Sequence, residues 1–100
     1  MEAIYAITCL ERIEEEKGWP VFGTLKFMGY YFNKDEAFED VETNNCDINE
    51  RLFSFAVIEE IKPGLYSFPR IRWFFEFDDK TQTYHLIDEP KVMRHIANVL

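Results

Sequence analysis

The sequence predicts an α+β domain in which an antiparallel sheet of about five strands carries two helices on one face. Three observations indicate this class. Apolar and polar residues alternate over residues 52–61 and again over 71–77, as in strands with two unlike faces. A capped helix follows Asn33. Apolar residues at helical spacing follow Asp88, so the predicted order is β-β-α-β-β-β-α.

The first two strands flank an acidic segment. Residues 3–13 are apolar on both alternating sets at first and then turn polar, which predicts a strand that begins in the middle of a sheet and leaves it. The segment EEEKGWP, residues 14–20, contains Gly18 and Pro20 and predicts a loop. Residues 21–32 resume extended character, with Gly23 and Gly29 as bulge or bend points.

The first helix begins after Asn33. The Asn33 side chain can accept a free backbone N–H of the first turn, and Glu36 stands where a capping box requires it. Ala37, Phe38 and Val41 form one apolar stripe at helical spacing. The other faces are acidic and carry Asp35, Glu36, Glu39, Asp40 and Glu42.

The C-terminal half predicts a connection over residues 43–50, a strand over 52–61 and a turn at 62–64, where Gly64 supplies a positive φ. An irregular stretch, 65–69, leads to a hairpin of strands 71–77 and 83–87 joined by DDKTQ. Asp88 caps the final helix and Pro90 lies in its first turn. The apolar face of this helix is predicted to consist of Val92, Met93, Ile96, Val99 and Leu100.

The faces of the hairpin strand differ. Trp73 is predicted to lie in the core with Phe75 and Phe77, and Ile71 belongs to the same face. The uncovered face of the sheet would carry alternate residues such as Arg72, Phe74 and Glu76, or their opposites.

Composition limits the function classes. One hundred residues, 47% of them hydrophobic, predict a single domain over 1–100. A formal charge of −8 argues against direct nucleic-acid binding and against attachment to an anionic membrane. Because we find no signal-peptide pattern and no long apolar run, we expect a cytoplasmic protein. Cys9 and Cys46 are predicted to be free, buried thiols.

No motif indicates catalysis or a cofactor. His85, His95 and the two cysteines lack metal-ligand spacing, and no nucleophile motif or phosphate loop occurs. We therefore expect no enzyme activity, no metal and no cofactor.

Two groups of residues are candidates for binding. The first would contact a basic protein surface, with Trp19 as an exposed aromatic anchor, and consists of Glu14, Glu15, Glu16, Trp19, Asp35, Glu39, Asp40 and Glu42. The alternatives are that the acidic residues form a solvated face and that Trp19 is buried under the second strand. The second group would bind a nucleotide-like anion and consists of Arg70, Arg72, Lys91 and Arg94. Its alternative is that Arg70 and Arg72 pair with nearby acids.

Three segments carry a family resemblance. YFNKDEAFEDVETNNCD, FAVIEEIKPGLY and RWFFEFDDKTQTYHLIDEP, within residues 29–90, resemble small uncharacterised proteins of Gram-positive bacteria and their prophages. That group shares a GYF-type strand running into a capped helix, a YAVIEE-type strand and an RWFF-type strand. The resemblance implies a mobile-element setting and carries no known activity.

The sequence thus favours a small acidic, non-enzymatic binding protein that acts by stoichiometric contact with a host protein, for example as an inhibitor of a defence system such as CRISPR. The alternative is a protein that binds or sequesters a small nucleotide-like anion. A free edge strand would also allow a homodimer by sheet extension.

Overall fold

The computed structural model describes residues 3–64, 71–96 and 99. Within these residues the elements are, in chain order, β1 Ile4–Leu10, β2 Glu14–Glu16, β3 Trp19–Val21, β4 Leu25–Tyr31, α1 Lys34–Glu42, β5 Phe55–Ile61, β6 Arg72–Asp78 and β7 Thr83–Ile87. Two short 3₁₀ turns cover Asn45–Asp47 and Lys91–His95. The irregular stretch predicted at 65–69 lies outside the described residues.

Five strands form one antiparallel sheet in the order β4-β1-β5-β6-β7. β1 and β5 lie between other strands and hold most of the buried positions, whereas β4 and β7 form the two edges. This arrangement confirms the predicted α+β class and the five-stranded antiparallel sheet.

The cap of α1 is the one that the sequence predicts. The Asn33 side-chain oxygen accepts from the backbone N–H groups of Asp35 at 2.8 Å and Glu36 at 3.2 Å. Ala37 and Val41 are buried, so the apolar stripe of α1 faces the sheet. The helix thereby covers the first of two hydrophobic clusters. This helix-side cluster consists of Ile7, Cys9, Ala37, Val41, Phe53, Ala56, Ile58, Phe75 and Tyr84.

The opposite face of the sheet is also covered, and the prediction of one open face is wrong. Leu10, Val57, Phe74 and Met93 form a second cluster there, which we call the tail-side cluster, and Ile13, Phe22 and Ile96 pack against it. Phe74 is only 1% exposed. The physical reason is that β5 is apolar on both alternating sets and β6 adds Phe74 to its tail-side set, so each face needs its own cover.

The prediction of a second helix on the same face as α1 is wrong as well. Residues 91–95 form a single 3₁₀ turn, and the chain at Ile96 is extended, with φ −110° and ψ 122°. Pro90 has ψ 139°, and no side chain caps the turn. Val92, Met93, Ile96 and Val99 still pack on the sheet, but on the tail-side cluster. Tertiary contacts therefore satisfy the apolar spacing without an α-helix; Leu100 lies outside the described residues.

The predicted loop at residues 14–20 is a β-ribbon. β2 pairs with β3, and the bonds from Glu11 N–H to the Thr24 carbonyl (2.9 Å) and from Arg12 N–H to the Phe22 carbonyl (3.0 Å) join this ribbon to the β1–β4 pair. β1 ends at Leu10, short of the predicted residue 13. The structure thus has one long hairpin that turns at residues 17–18, where the sequence predicts two strands joined by a loop.

Two backbone features explain the ribbon. Lys17 and Gly18 have φ of 52° and 83°, the left-handed pair that a tight hairpin turn requires. At Gly23, where the ribbon bends away from β4, φ is 66° and a Cβ atom would lie 2.6 Å from Glu11 Oε1. The ribbon and β4 are therefore joined at a point that favours glycine.

Candidate functional site

The ribbon tip, residues 14–21, carries the most exposed aromatic residue in the described part of the chain. Trp19 is 73% exposed and lies directly opposite Glu16 in the β2–β3 register. Opposed residues in an antiparallel pair point to the same side, and Glu14 follows at the alternate position. One side of the tip therefore presents an indole opposite the exposed carboxylate of Glu16 and diagonal to that of Glu14.

The third glutamate of the tip points the other way. Glu15 is opposite Pro20, on the side of the ribbon that does not carry Trp19. Arg12 Nε lies 3.6 Å from Glu14 Oε2, so part of the charge of Glu14 is compensated within the chain. Among the ion pairs of the described residues, none involves Glu15 or Glu16.

The acidic residues of α1 do not belong to the same surface as the tip. α1 packs on the helix-side cluster, whereas the ribbon packs through Ile13 and Phe22 on the tail-side cluster. Asp35, Glu39 and Glu42 are exposed. Asp40 is half-buried and accepts hydrogen bonds from the Tyr31 hydroxyl and from Asn45 Nδ2. The sequence grouped these acids with Trp19, but the fold attaches the two sets to opposite faces of the sheet.

Arg72 fastens the C-terminal segment to the sheet. Its side chain is only 9% exposed and donates to Glu89 Oε1 from Nε at 2.9 Å and from Nη2 at 2.5 Å. Nη2 also donates to the Met93 carbonyl at 2.6 Å, and the guanidinium lies 5.5 Å from the ring centre of Phe74. These contacts match the alternative in which Arg72 pairs with a nearby acid, and they favour a structural role over anion binding.

The other members of the arginine and lysine group are not brought around a common cavity in the described residues. Lys91 and Arg94 are exposed, and Arg70 lies outside the described residues. The lining of an open groove of about 560 Å³ includes Arg72, Trp73, Phe74, Asp88 and Glu89. Two carboxylates thus share the groove with Arg72, which is already paired with Glu89, and this does not suit an anionic ligand.

A polar cluster that the sequence did not reveal surrounds His85. The His85 Nε2 atom is 3.1 Å from the Thr81 hydroxyl, 3.1 Å from the Thr83 hydroxyl and 3.8 Å from Asp78 Oδ2. A nucleophile, histidine and carboxylate relay needs the carboxylate at the second ring nitrogen, opposite the nucleophile. Here every contact is at Nε2, so the geometry does not form such a relay.

The two cysteines are free, but only one of them is buried. Cys9 lies in the helix-side cluster, and burial raises the pKa of its thiol to about 12, against a smaller lowering by its hydrogen bond with Tyr84. Cys46 is exposed in the turn after α1, at a φ of 58°, so the prediction that both thiols are buried is wrong for Cys46.

This difference predicts the reactivity of the thiols. We expect the native protein at pH 8 to react with Ellman's reagent at one site, because a thiol with a pKa of about 12 carries almost no thiolate at that pH. Unfolding in urea should release the second thiol. Cys46→Ser should abolish the native reaction, and Cys9→Ser should leave it unchanged. Fast reaction of two thiols in the native protein would contradict this assignment.

A further group of exposed apolar residues lies on β4 and was not predicted from the sequence. Leu25, Phe27, Tyr30 and Phe32 lie along the outer edge of β4 and beyond its end, and each has roughly half or more of its surface exposed. We call these residues the edge stripe. Their alternation within residues 25–32 was visible in the sequence, but the side that faces the core could not be assigned without the position of β4 in the sheet.

Comparisons with protein-family models, with curated proteins and with solved structures found no match to this chain. Within the described residues, no cluster of three or more His, Cys, Asp or Glu side chains is arranged to hold a metal ion. No helix in the described ranges is long and apolar enough to cross a bilayer.

Proposed function

We propose that the protein is a non-enzymatic binding protein that makes stoichiometric contact with a basic surface of a host protein through the Trp19 side of the ribbon tip. The observation that carries this proposal is the 73% exposure of Trp19 directly opposite Glu16. A large aromatic side chain held so far out of the core has little packing role in the fold, whereas tryptophan is enriched among the residues that dominate interface energies.

The chemistry of the tip favours an arginine side chain of the partner as its target. A guanidinium can stack on the face of an indole and donate forked hydrogen bonds to a carboxylate at the same time. Trp19 and Glu16 present these two groups side by side. The net charge of −8 would add long-range attraction to a basic surface and speed association at low salt.

The contact is tested by affinity capture from bacterial host lysate with tagged wild-type protein and three variants. We expect Trp19→Ala to weaken the affinity for a stoichiometric partner about 30-fold, the effect of losing a residue that contributes about 2 kcal/mol, and so to lower its captured yield. Glu16→Gln should weaken capture less, because the indole remains. Capture should also fall with added salt, since charge steering is screened.

Glu15→Gln is the matched control. It removes the same charge from the neighbouring position, but on the side of the ribbon away from Trp19. Equal effects of Glu15→Gln and Glu16→Gln would show that only overall charge matters and would contradict the proposed contact. Capture of the same partners by wild type and Trp19→Ala would also contradict it.

A further inference from the structure

The edge stripe is an apolar surface on an unpaired strand edge. Leu25, Phe27, Tyr30 and Phe32 are 45%, 48%, 52% and 65% exposed, and the rings of Tyr30 and Phe32 meet edge to face with centroids 5.7 Å apart. β4 is the last strand on its side of the sheet in the described part of the chain. Exposed edge strands of soluble proteins are usually protected by charged side chains, because their free backbone groups can form hydrogen bonds with a strand of another molecule.

Charge protection is weak on this edge. The chain holds 19 Asp and Glu residues, but residues 21–33 contain none of them. The single charged side chain of β4, Lys26, points to the helix side and forms an ion pair with Glu50 at 2.5 Å. In a chain of net charge −8, this segment is therefore one that a second copy could approach without burying an acidic group.

The side chains of β4 alternate between the two faces of the sheet, and the pattern of faces is the same in both directions from its bulge. Opposite β1, Leu25, Phe27 and Tyr30 align with Leu10, Thr8 and Ala6 on the tail side. Lys26, Gly29 and Tyr31 align with Cys9, Ile7 and Tyr5 on the helix side, and Met28 packs on the helix-side cluster. The register shift between Ile7 and Thr8 places two consecutive helix-side residues, Met28 and Gly29, at the centre.

We propose that the protein forms a two-fold symmetric homodimer in which β4 pairs antiparallel with β4 of a second copy about an axis between Met28 and Gly29. In this register Phe27 faces Tyr30 of the second copy, and Leu25 faces its Phe32. The two residues of each opposed pair then lie on the same face of the joined sheet, because the bulge reverses the alternation of each strand at the axis. A bulge that would disrupt pairing with another strand is thus compatible with a copy of itself.

The opposed pair on the helix side, Lys26 and Tyr31 of the second copy, buries no unpaired charge. Lys26 would face Tyr31 of the second copy, and both side chains already have partners in their own chain, Glu50 and Asp40 respectively. The antiparallel arrangement also places the two acidic ribbon tips at opposite ends of the joined strands. Their mutual repulsion is therefore small, and each Trp19 stays accessible.

The area of the stripe sets the strength of the dimer. Aromatic side chains bury roughly 150–250 Å² each, so the three aromatic residues of the stripe, about half exposed, together with Leu25 offer on the order of 400 Å² per copy. Stable interfaces bury about 800 Å² per partner, and smaller ones are transient. We therefore expect a dissociation constant in the micromolar range, with main-chain bonds of the added strands supplying part of the affinity.

The test is sedimentation velocity of the full chain over a concentration series, with Phe27→Asp and Leu86→Asp compared with wild type. Leu86 is 55% exposed on β7 at the other edge, so it is a matched control. Wild type and Leu86→Asp should shift from monomer to dimer at about micromolar concentration. Phe27→Asp should stay monomeric at concentrations at least ten-fold higher while keeping the wild-type circular dichroism spectrum.

Cysteine cross-linking tests the register without relying on an introduced charge. In a Cys46→Ser background, a mixture of Phe27→Cys and Tyr30→Cys proteins should form mainly the mixed disulfide under mild copper-catalysed air oxidation, because directly opposed residues lie within disulfide reach. A mixture of Phe27→Cys and Leu25→Cys, which are several residues apart across the axis, should form little. Monomeric wild type at all concentrations, a dimer lost in Leu86→Asp but kept in Phe27→Asp, or equal cross-linking of both mixtures would overturn the proposal.

Discussion

Phe74→Ala should lower the free energy of unfolding by about 3 to 5 kcal/mol, the usual cost of removing a buried aromatic side chain. Phe74 is 1% exposed and is a central member of the tail-side cluster, with Leu10, Val57 and Met93 around it. The substitution removes most of its buried area and leaves a cavity beneath the C-terminal segment. Urea denaturation followed by circular dichroism gives the comparison.

Two variants bracket this result. Phe75→Ala, one residue further along β6, removes a buried ring from the helix-side cluster. It should lower the free energy of unfolding by about the same amount. Leu86→Ala, at a side chain 55% exposed, should cost less than about 1 kcal/mol. If Phe74→Ala were as mild as Leu86→Ala, the tail-side face would be open, and the finding that both faces of the sheet are covered would be wrong.

Phe74 shows where sequence reasoning reaches its limit. Alternation along 71–77 separates its two faces correctly, because the period of two is a local property of a strand. It cannot tell whether the second face is covered, since that depends on where distant segments pack. Here Ile13, Phe22 and Met93, from both ends of the chain, provide the cover. The same long-range contacts replace the predicted C-terminal helix by a 3₁₀ turn and an extended segment.

The candidate site follows the same rule. Trp19, between Gly18 and Pro20, could be singled out as an exposed side chain because the signal lies within three residues. The pairing of Trp19 with Glu16 could not, because an acidic run containing Gly18 and Pro20 has the composition of a loop. The fold attaches the tip and the acids of α1 to opposite faces of the sheet, and a sequence does not show on which face of a sheet its charges lie.

Arg72 illustrates a different limit. An arginine beside aromatic residues has the composition of an anion site, and the same composition suits a structural ion pair. The distinction depends on Glu89 and the Met93 carbonyl, 17 and 21 residues away along the chain, which the fold brings to the guanidinium. Only the tertiary structure shows that Nε and Nη2 of Arg72 already have partners within the chain.

We expect Glu59→Ala to have the other large effect, a loss of about 1 to 3 kcal/mol in the free energy of unfolding. Glu59 is fully buried in β5, and its Oε2 accepts from the backbone N–H of Val99 at 2.7 Å. Alanine would leave that N–H without its acceptor and open a cavity where the carboxylate lies. Glu59→Gln keeps the volume and an acceptor oxygen, so its cost should be clearly smaller.

Hydrogen exchange locates this effect. The Val99 amide should exchange slowly in wild type and much faster in Glu59→Ala, because its acceptor is the side chain that the substitution removes. Glu76→Ala, at an exposed glutamate on the same face of the sheet, should change the free energy of unfolding by less than about 0.5 kcal/mol. Equal stability of the Glu59 and Glu76 variants would contradict the role of Glu59. A buried carboxylate is costly unless donors surround it, so the C-terminal segment that supplies Val99 is part of what makes Glu59 tolerable in the core.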